Sequence, residues 1–262
     1  QKTAYEIRPR DWSSDVCSSD LEEPLAIRVD GRLLLTTMRT PGGERDLAVG
    51  LLLSERVIQT PDDIATVRVC EDASAGNVVD VTLLEPAASR ARAASHRSVT
   101  QTSACGVCGR QSIDDLRVGL PALDRGFRVS ASVIASCPTR LRGRQQVFAE
   151  TGGLHAAALV GADGHVVAVA EDVGRHNAVD KVIGSQLLTE RWPLHDVLLF
   201  VSGRSSFEIV QKAAVAGVPL VASVSAPSSL AVELAQDVGL TLVGFVRGET
   251  CNVYTHPERV RV

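Results

Sequence analysis

Aromatic side chains are scarce in this chain: Phe, Trp and Tyr make up 3% of 262 residues, and there is one Met. With hydrophobic residues at 45%, a sizeable core must be assembled from Ala, Val, Leu and Ile. That composition favours an α/β architecture with close Ala and Gly contacts. Long apolar runs are missing too. Nothing approaches the roughly 18 apolar residues of a membrane span, and the first residues carry no secretory pattern. Neither membrane insertion nor export is expected. Positive charge is not in excess: a formal net charge of −4 argues against a general nucleic-acid binder. The six cysteines are scattered, with one close pair, which suits a reduced, cytoplasmic setting better than a secreted disulfide scaffold. A structural zinc site would want a second Cys or His pair at similar spacing, and none exists, so no resident metal is expected.

Residues 10–21 read RDWSSDVCSSDL, without the periodicity of the residues after them. They resemble translated sequencing-adapter read-through; the alternative is a Ser/Asp-rich disordered leader. The rest divides into an N-terminal α+β subdomain over 22–97, a mobile region over 98–127 and an α/β domain over 128–262. In the first, PLAIRV and RLLLTTM alternate around Asp30-Gly31, a hairpin signal. A short helix is predicted over 46–58 and strands over 64–70 and 78–84. The Ala/Arg/Ser-rich stretch 85–97 reads as a linker or a mobile crossing.

The α/β domain is more regular. Ser130 caps a helix, and Pro138 starts another reaching about Glu150. A hairpin is predicted over 155–160 and 165–170. Asn177 with Asp180 forms a weak capping box for the next helix. Continuous apolar strands over 197–201, 220–224 and 240–246 then alternate with helices over 205–216 and 228–238. That pattern indicates parallel strands buried on both faces. In such sheets ligands sit outside the carboxyl ends of the strands.

Six clusters carry candidate chemistry. Thr102-Ser-Ala-Cys105-Gly-Val-Cys108-Gly109 holds two thiols that can share a metal, form a disulfide or supply a nucleophile. Glycines keep the sulfurs uncovered, and Arg110 nearby favours thiolate. Cys70, Cys137 and Cys251 are isolated and read as structural. Thr151-Gly-Gly-Leu-His155 sets a histidine at a strand start, where it is either a satisfied polar residue or an acid, base or ligand. Glu171-Asp-Val-Gly-Arg175-His176-Asn177, with Asp180 and Lys181 one turn on, is dense in titratable groups. Ser202-Gly203-Arg204-Ser205-Ser206 follows one apolar strand, Ser225-Ala-Pro-Ser228-Ser229 the next, and Gly244-Phe245-Val246-Arg247-Gly248-Glu249-Thr250 ends the last. Together these small residues and arginines describe an anion-binding rim for a phosphate-bearing ligand; the alternative is ordinary turn chemistry.

Eight of these stretches, EEPLAIRVDG, TMRTPG, TSACGVCG, TGGLHAAAL, EDVGRHNAVDKVIG, SGRSSFEIVQKAAVAGVP, SAPSSLAVELA and GFVRGETCNVYT, give the chain a further meaning. In them it resembles the FdhD family, sulfurtransferases required for formate dehydrogenase activity. The resemblance implies a cytidine deaminase-like three-layer core with a mixed sheet, and a homodimer. It also implies a sulfur carrier that accepts sulfur from a cysteine desulfurase as a persulfide on Cys105, with Cys108 assisting. The sulfur's destination would be molybdenum bis(molybdopterin guanine dinucleotide), before that cofactor enters formate dehydrogenase. The family's cofactor-binding segment falls on Phe245, Val246, Arg247, Gly248, Glu249 and Thr250, with Ser202, Gly203, Arg204, Ser205, Ser225, Ser228, His155, Arg175 and His176 expected around it. The zinc deaminase signature is missing, since Ala104 stands where that signature has Pro. A zinc hydrolase of nucleotide-like rings and a non-catalytic cofactor chaperone are the alternatives.

Overall fold

The computed structural model of the chain describes residues 21–70, 77–95, 120, 123 and 126–262. Strand β1 (Glu23–Val29) turns through Asp30 and Gly31, both at positive φ, into β2 (Arg32–Arg39). Helix α1 (Glu44–Ser54) follows, then β3 (Ile64–Cys70) and β4 (Val78–Leu83). These strands form one sheet in the order β2-β1-β4-β3, with β1 and β4 parallel. Helix α1 ends four residues before the predicted limit. Arg56 takes φ 58 there, and the amides of Val57 and Ile58 turn back to the Leu52 carbonyl.

The stretch expected as a linker or a mobile crossing contains a helix, α2 (Ala87–Ser95). Its apolar stripe is only alanine, which a hydropathy reading passes over. Ala87, Ala88 and Ala91 are buried. Arg90 secures the helix, donating to Asp63 Oδ2 at 2.6 Å and to the Val57 carbonyl at 3.1 Å.

The larger domain begins at β5 (Val129–Ser130) and α3 (Ala131–Arg142), followed by α4 (Gln146–Thr151). Ser130 caps α3 as expected, accepting from the Val133 amide. Pro138 does not start a new helix; it lies inside α3. An interior proline costs about 3 kcal/mol, and the burial of Ile134, Cys137 and Leu141 offsets that. Next come the hairpin β6 (His155–Gly161) and β7 (Val166–Asp172), α5 (Arg175–Leu188), β8 (Val197–Val201), α6 (Phe207–Val215), β9 (Leu220–Ser223), α7 (Ser229–Val238), β10 (Thr241–Arg247) and β11 (Thr250–Val253). A short β12 (Val260–Arg261) returns to pair with β5.

The large sheet runs β11-β10-β9-β8-β6-β7, parallel through β8, β9 and β10 and antiparallel outside them. Strand alternation divides its side chains between two cores. Ala157, Leu159, Leu199, Val221 and Leu242 join the core on the α5, α6 and α7 side. Ala156, Ala158, Leu198, Phe200 and Ala222 face α3. These are the three expected layers.

The N-terminal subdomain shares the first of these cores, because α1 lies directly on α5. The crossing is made by two glycines. A Cβ on Gly50 would meet the Asp180 carbonyl, and one on Gly184 the Asp46 carbonyl, in both cases inside van der Waals contact. Both obstacles are helix backbone and cannot swing aside. Gly184→Ala is therefore expected to destabilise the fold by about 3 kcal/mol or more, read as a lower midpoint in chemical denaturation. An unchanged midpoint would mean the helices can separate freely.

Candidate functional site

Five chain segments converge at one edge of the large sheet. Strands β8, β9 and β10 end there, antiparallel β6 starts there, and β7 arrives to feed α5. The predicted rim residues therefore meet, although they come from distant parts of the chain. Ser202 extends the β8–β6 ladder: its amide donates to the Ala156 carbonyl and its hydroxyl accepts from the Ala156 amide, both at 2.9 Å. That fixes His155 beside the loop. A Cβ on Gly203 would stand 3.4 Å from His155 Nδ1 and 3.8 Å from Arg175 Cδ, so His155, Gly203 and Arg175 form one corner. Arg204 projects into solvent.

The second and third strand ends adjoin the first. Ser205 bridges to Pro227, and the Ser228 amide donates to the Ser205 carbonyl at 3.0 Å. Ser228 caps α7 from an exposed position. The Ser225 carbonyl accepts from the Phe245 amide at 3.2 Å. Gly244 fits where it does because a Cβ would press on Pro227 and Ser225, and on the Tyr254 ring. The register shifts here, and Phe245 takes φ 53, a conformation unfavourable for a bulky residue. Arg247 lies over the Phe245 ring at 5.8 Å. Gly248, Glu249 and Thr250 form the exposed turn beyond, where the Thr250 hydroxyl donates to the Arg247 carbonyl. Strained backbone held by surrounding structure is characteristic of binding sites.

Two predicted rim residues face inward. Ser205 is fully buried, and Val246 packs in the α3-side core at 1% exposure. Only their backbone groups are available to a ligand. Cys105 and Cys108 lie outside the described residues. Of the isolated cysteines, Cys137 is core, its thiol pushed up to about 12 by burial against the weaker opposing pull of Arg140. Cys70 and Cys251 are half-buried. Among the described residues, no three His, Cys, Asp or Glu side chains gather to hold a metal.

The start of α5 is built differently from the predicted capping box. Gly174 occupies the cap position, and Asp172 does the organising. Its Oδ1 accepts from the Gly174 amide at 2.8 Å and from Asn177 Nδ2 at 3.0 Å. Its Oδ2 meets Lys181 Nζ at 2.7 Å and the Thr40 amide at 3.2 Å. Asn177 also donates to the Met38 carbonyl, and Lys181 to the Thr40 carbonyl. The TMRTPG segment of the N-terminal subdomain is thus clamped to the helix start that presents Arg175 and His176. Glu171 turns away, accepting from the Val147 and Phe148 amides at the start of α4.

A second buried network runs inward from the rim. His176 Nε2 lies 3.1 Å from the Ser206 hydroxyl, and its Nδ1 lies 2.8 Å from Glu208 Oε2. Lys212 joins Glu208 at 3.3 Å and Asp180 at 2.7 Å, and Ser54 donates to Asp180. Sequence pattern gave no sign of Glu208 and Lys212. Spaced four apart on a helix, they read as an ordinary solvated pair; burial makes them otherwise.

Charge is tuned accordingly. Burial, then Arg175 and His176, hold the His155 imidazole below its usual range against the opposing pull of Asp172. At neutral pH that ring is uncharged. Burial raises Asp180, though Lys212 and Ser54 oppose it. Burial alone would raise Glu208, but Lys212 and His176 outweigh it and bring the carboxyl down to about 2. A carboxyl depressed in the fold contributes stability that is complete above its unfolded value of about 4.5 and is lost as pH falls toward 2. The contribution is on the order of 3 kcal/mol. Glu208→Gln should therefore flatten the acid limb of unfolding free energy between pH 5 and about 2. An unaltered limb would show that the carboxylate is not held ionised.

Comparison with known proteins places this geometry in context. A model of the FdhD/NarQ family matches residues 21–261. A protein of Nocardia farcinica named sulfur carrier protein FdhD is 50% identical over 265 residues, covering 98% of this chain and 91% of its own. One of the same name from Anaeromyxobacter dehalogenans is 52% identical, covering 92% and 87%. A crystal structure described as a formate dehydrogenase accessory protein from Desulfotalea psychrophila superposes with a TM-score of 0.73 at 26% identity, covering 92% and 90% of the two chains.

Proposed function

The chain belongs to the FdhD/NarQ family, and from that premise we propose that it is a sulfur carrier serving formate dehydrogenase maturation in the cytoplasm. Sulfur arrives from a cysteine desulfurase. The Cys105 thiolate attacks the outer sulfur of the donor persulfide. The old S–S bond breaks, the donor cysteine leaves as thiol, and Cys105 holds the new persulfide. Cys108 stands close enough in sequence to assist. The acceptor is the molybdenum bis(molybdopterin guanine dinucleotide) cofactor, handled as a substrate by a homodimer and passed on to formate dehydrogenase.

One observation carries this reading: the convergence of three strand ends into a rim of small residues and arginines. Phosphates need donors and positive charge with little steric obstruction. Ser202, Gly203 and Arg204, then Ser225 and Ser228, then Phe245 and Arg247 to Thr250 supply these on adjoining loops. The kinked Phe245 offers a flat apolar face at the end of that track. His155 is uncharged and able to donate from one ring nitrogen while accepting at the other. Arg175 adds positive charge at the Gly203 corner.

Intact-mass spectrometry after incubation with a cysteine desulfurase and cysteine tests the carrier step. The expected result is a gain of one sulfur on the wild type, removed by reductant and absent from Cys105→Ala. No gain on either, or a stoichiometric chelator-sensitive zinc in its place, would contradict it.

A further inference from the structure

We infer that Ser206, His176 and Glu208 form a nucleophile–base–acid array, which gives the protein a second, thiol-independent reactivity toward activated acyl or phosphoryl esters. The grounds are geometric. Ser206 Oγ lies 3.1 Å from His176 Nε2, and His176 Nδ1 lies 2.8 Å from Glu208 Oε2. That is the order of groups that turns a weak hydroxyl into a nucleophile, and it is recognised by geometry rather than by fold. Glu208 Oε2 is buried, and its 2.8 Å contact with His176 Nδ1 is an ion-pair contact outside hydrogen-bond alignment. A carboxylate can only accept, so it selects the tautomer with the proton on Nδ1. The lone pair on Nε2 then faces the Ser206 hydroxyl.

Ser206 is itself unusual. It occupies the cap position of α6 with extended backbone, where a serine hydroxyl ordinarily accepts from the helix amides. Here it makes no such bond and turns to His176. The first amides of α6 are thereby left for an incoming oxyanion. Ser206 is half-buried at the rim, not sealed in the core. Lys212 and Asp180 brace Glu208 from behind, and Lys212 is itself wholly engaged with both acids. Arg204, exposed two residues before the nucleophile, and Arg175 beside Gly203 favour an ester with an anionic part.

In the reaction, the Ser206 O–H proton passes to His176 Nε2 as Oγ bonds to the carbonyl carbon or phosphorus. The leaving group departs with its electron pair and collects the proton from the imidazolium. Water then repeats the sequence and frees the serine. Ser206 and His176 act as catalytic residues, and Glu208 is a positioning residue.

The test uses the full chain, thiols first blocked by alkylation, with an alkyl fluorophosphonate as probe. An Oγ–P bond forms, the P–F bond breaks, and fluoride leaves. One adduct is expected, on Ser206 by peptide mapping, absent from Ser206→Ala and from heat-denatured protein. His176→Gln should slow labelling at least about 100-fold. Glu208→Gln should displace the pH profile of labelling, an effect that simple loosening of α6 does not produce. The titratable groups bearing on that profile are Glu208, His155 and Asp172, with the fixed charge of Arg175 beside them and Lys212 and Asp180 behind. No wild-type adduct, or labelling at the same rate in folded His176→Gln, would overturn the assignment. The cap hydroxyl of Ser206 bonds no amide, so Ser206→Ala should keep its fold by circular dichroism and remain a usable control.

Discussion

The candidate site depends first on the carboxylate of Asp172. It is fully buried, and each of its oxygens has two partners: Gly174 and Asn177 on one, Lys181 and Thr40 on the other. A buried charge is tolerated only when paired and fully hydrogen-bonded, and leaving such a group unpartnered costs several kcal/mol. Three elements must therefore assemble together: the end of β7, the first turns of α5 and the loop after β2. Their assembly aims Arg175 and His176 at the rim. The N-terminal subdomain, which contributes none of the rim side chains, is by this clamp a condition of the rim's shape.

The glycine crossing of α1 and α5 works in the same direction. Two helices this close leave no room for side chains between them, and their approach brings Ser54 of α1 to Asp180 of α5. Asp180 holds Lys212, Lys212 steadies Glu208, and Glu208 orients His176. Packing of small residues, available to a chain with few aromatics, is thus converted into a fixed imidazole at the sheet edge. Pre-organisation of that kind is what a binding or reacting site needs, because it removes the cost of ordering side chains at the moment of use.

Much of this was legible in the sequence, for physical reasons. Continuous apolar strands alternating with helices imposed the parallel centre of the large sheet, and that topology brings Ser202, Ser225 and Phe245 to one edge. Asp30-Gly31 marked the first hairpin. What escaped was set by tertiary contacts with weak local signals. Helix α2 hides because alanine alone makes its stripe. Pro138 is carried inside α3 by core burial around it. Asn177 looks like a cap, yet its amide is drawn to Met38 and Asp172, residues brought near only by folding. Glu208 and Lys212 have the spacing of a surface pair and are buried. Val246 and Ser205 share a motif with ligand-facing neighbours, but strand alternation and the β8–β9 loop bridge turn them inward.

The central claim is that the rim formed by three strand ends holds the phosphates of a guanine dinucleotide while Cys105 carries sulfur. A crystal structure with guanosine diphosphate tests this most directly. Phosphate density is expected between Ser202–Arg204 and Ser225–Ser228, with the base running toward Phe245 and Arg247. Density for the nucleotide at another surface, with the rim untouched, would contradict it.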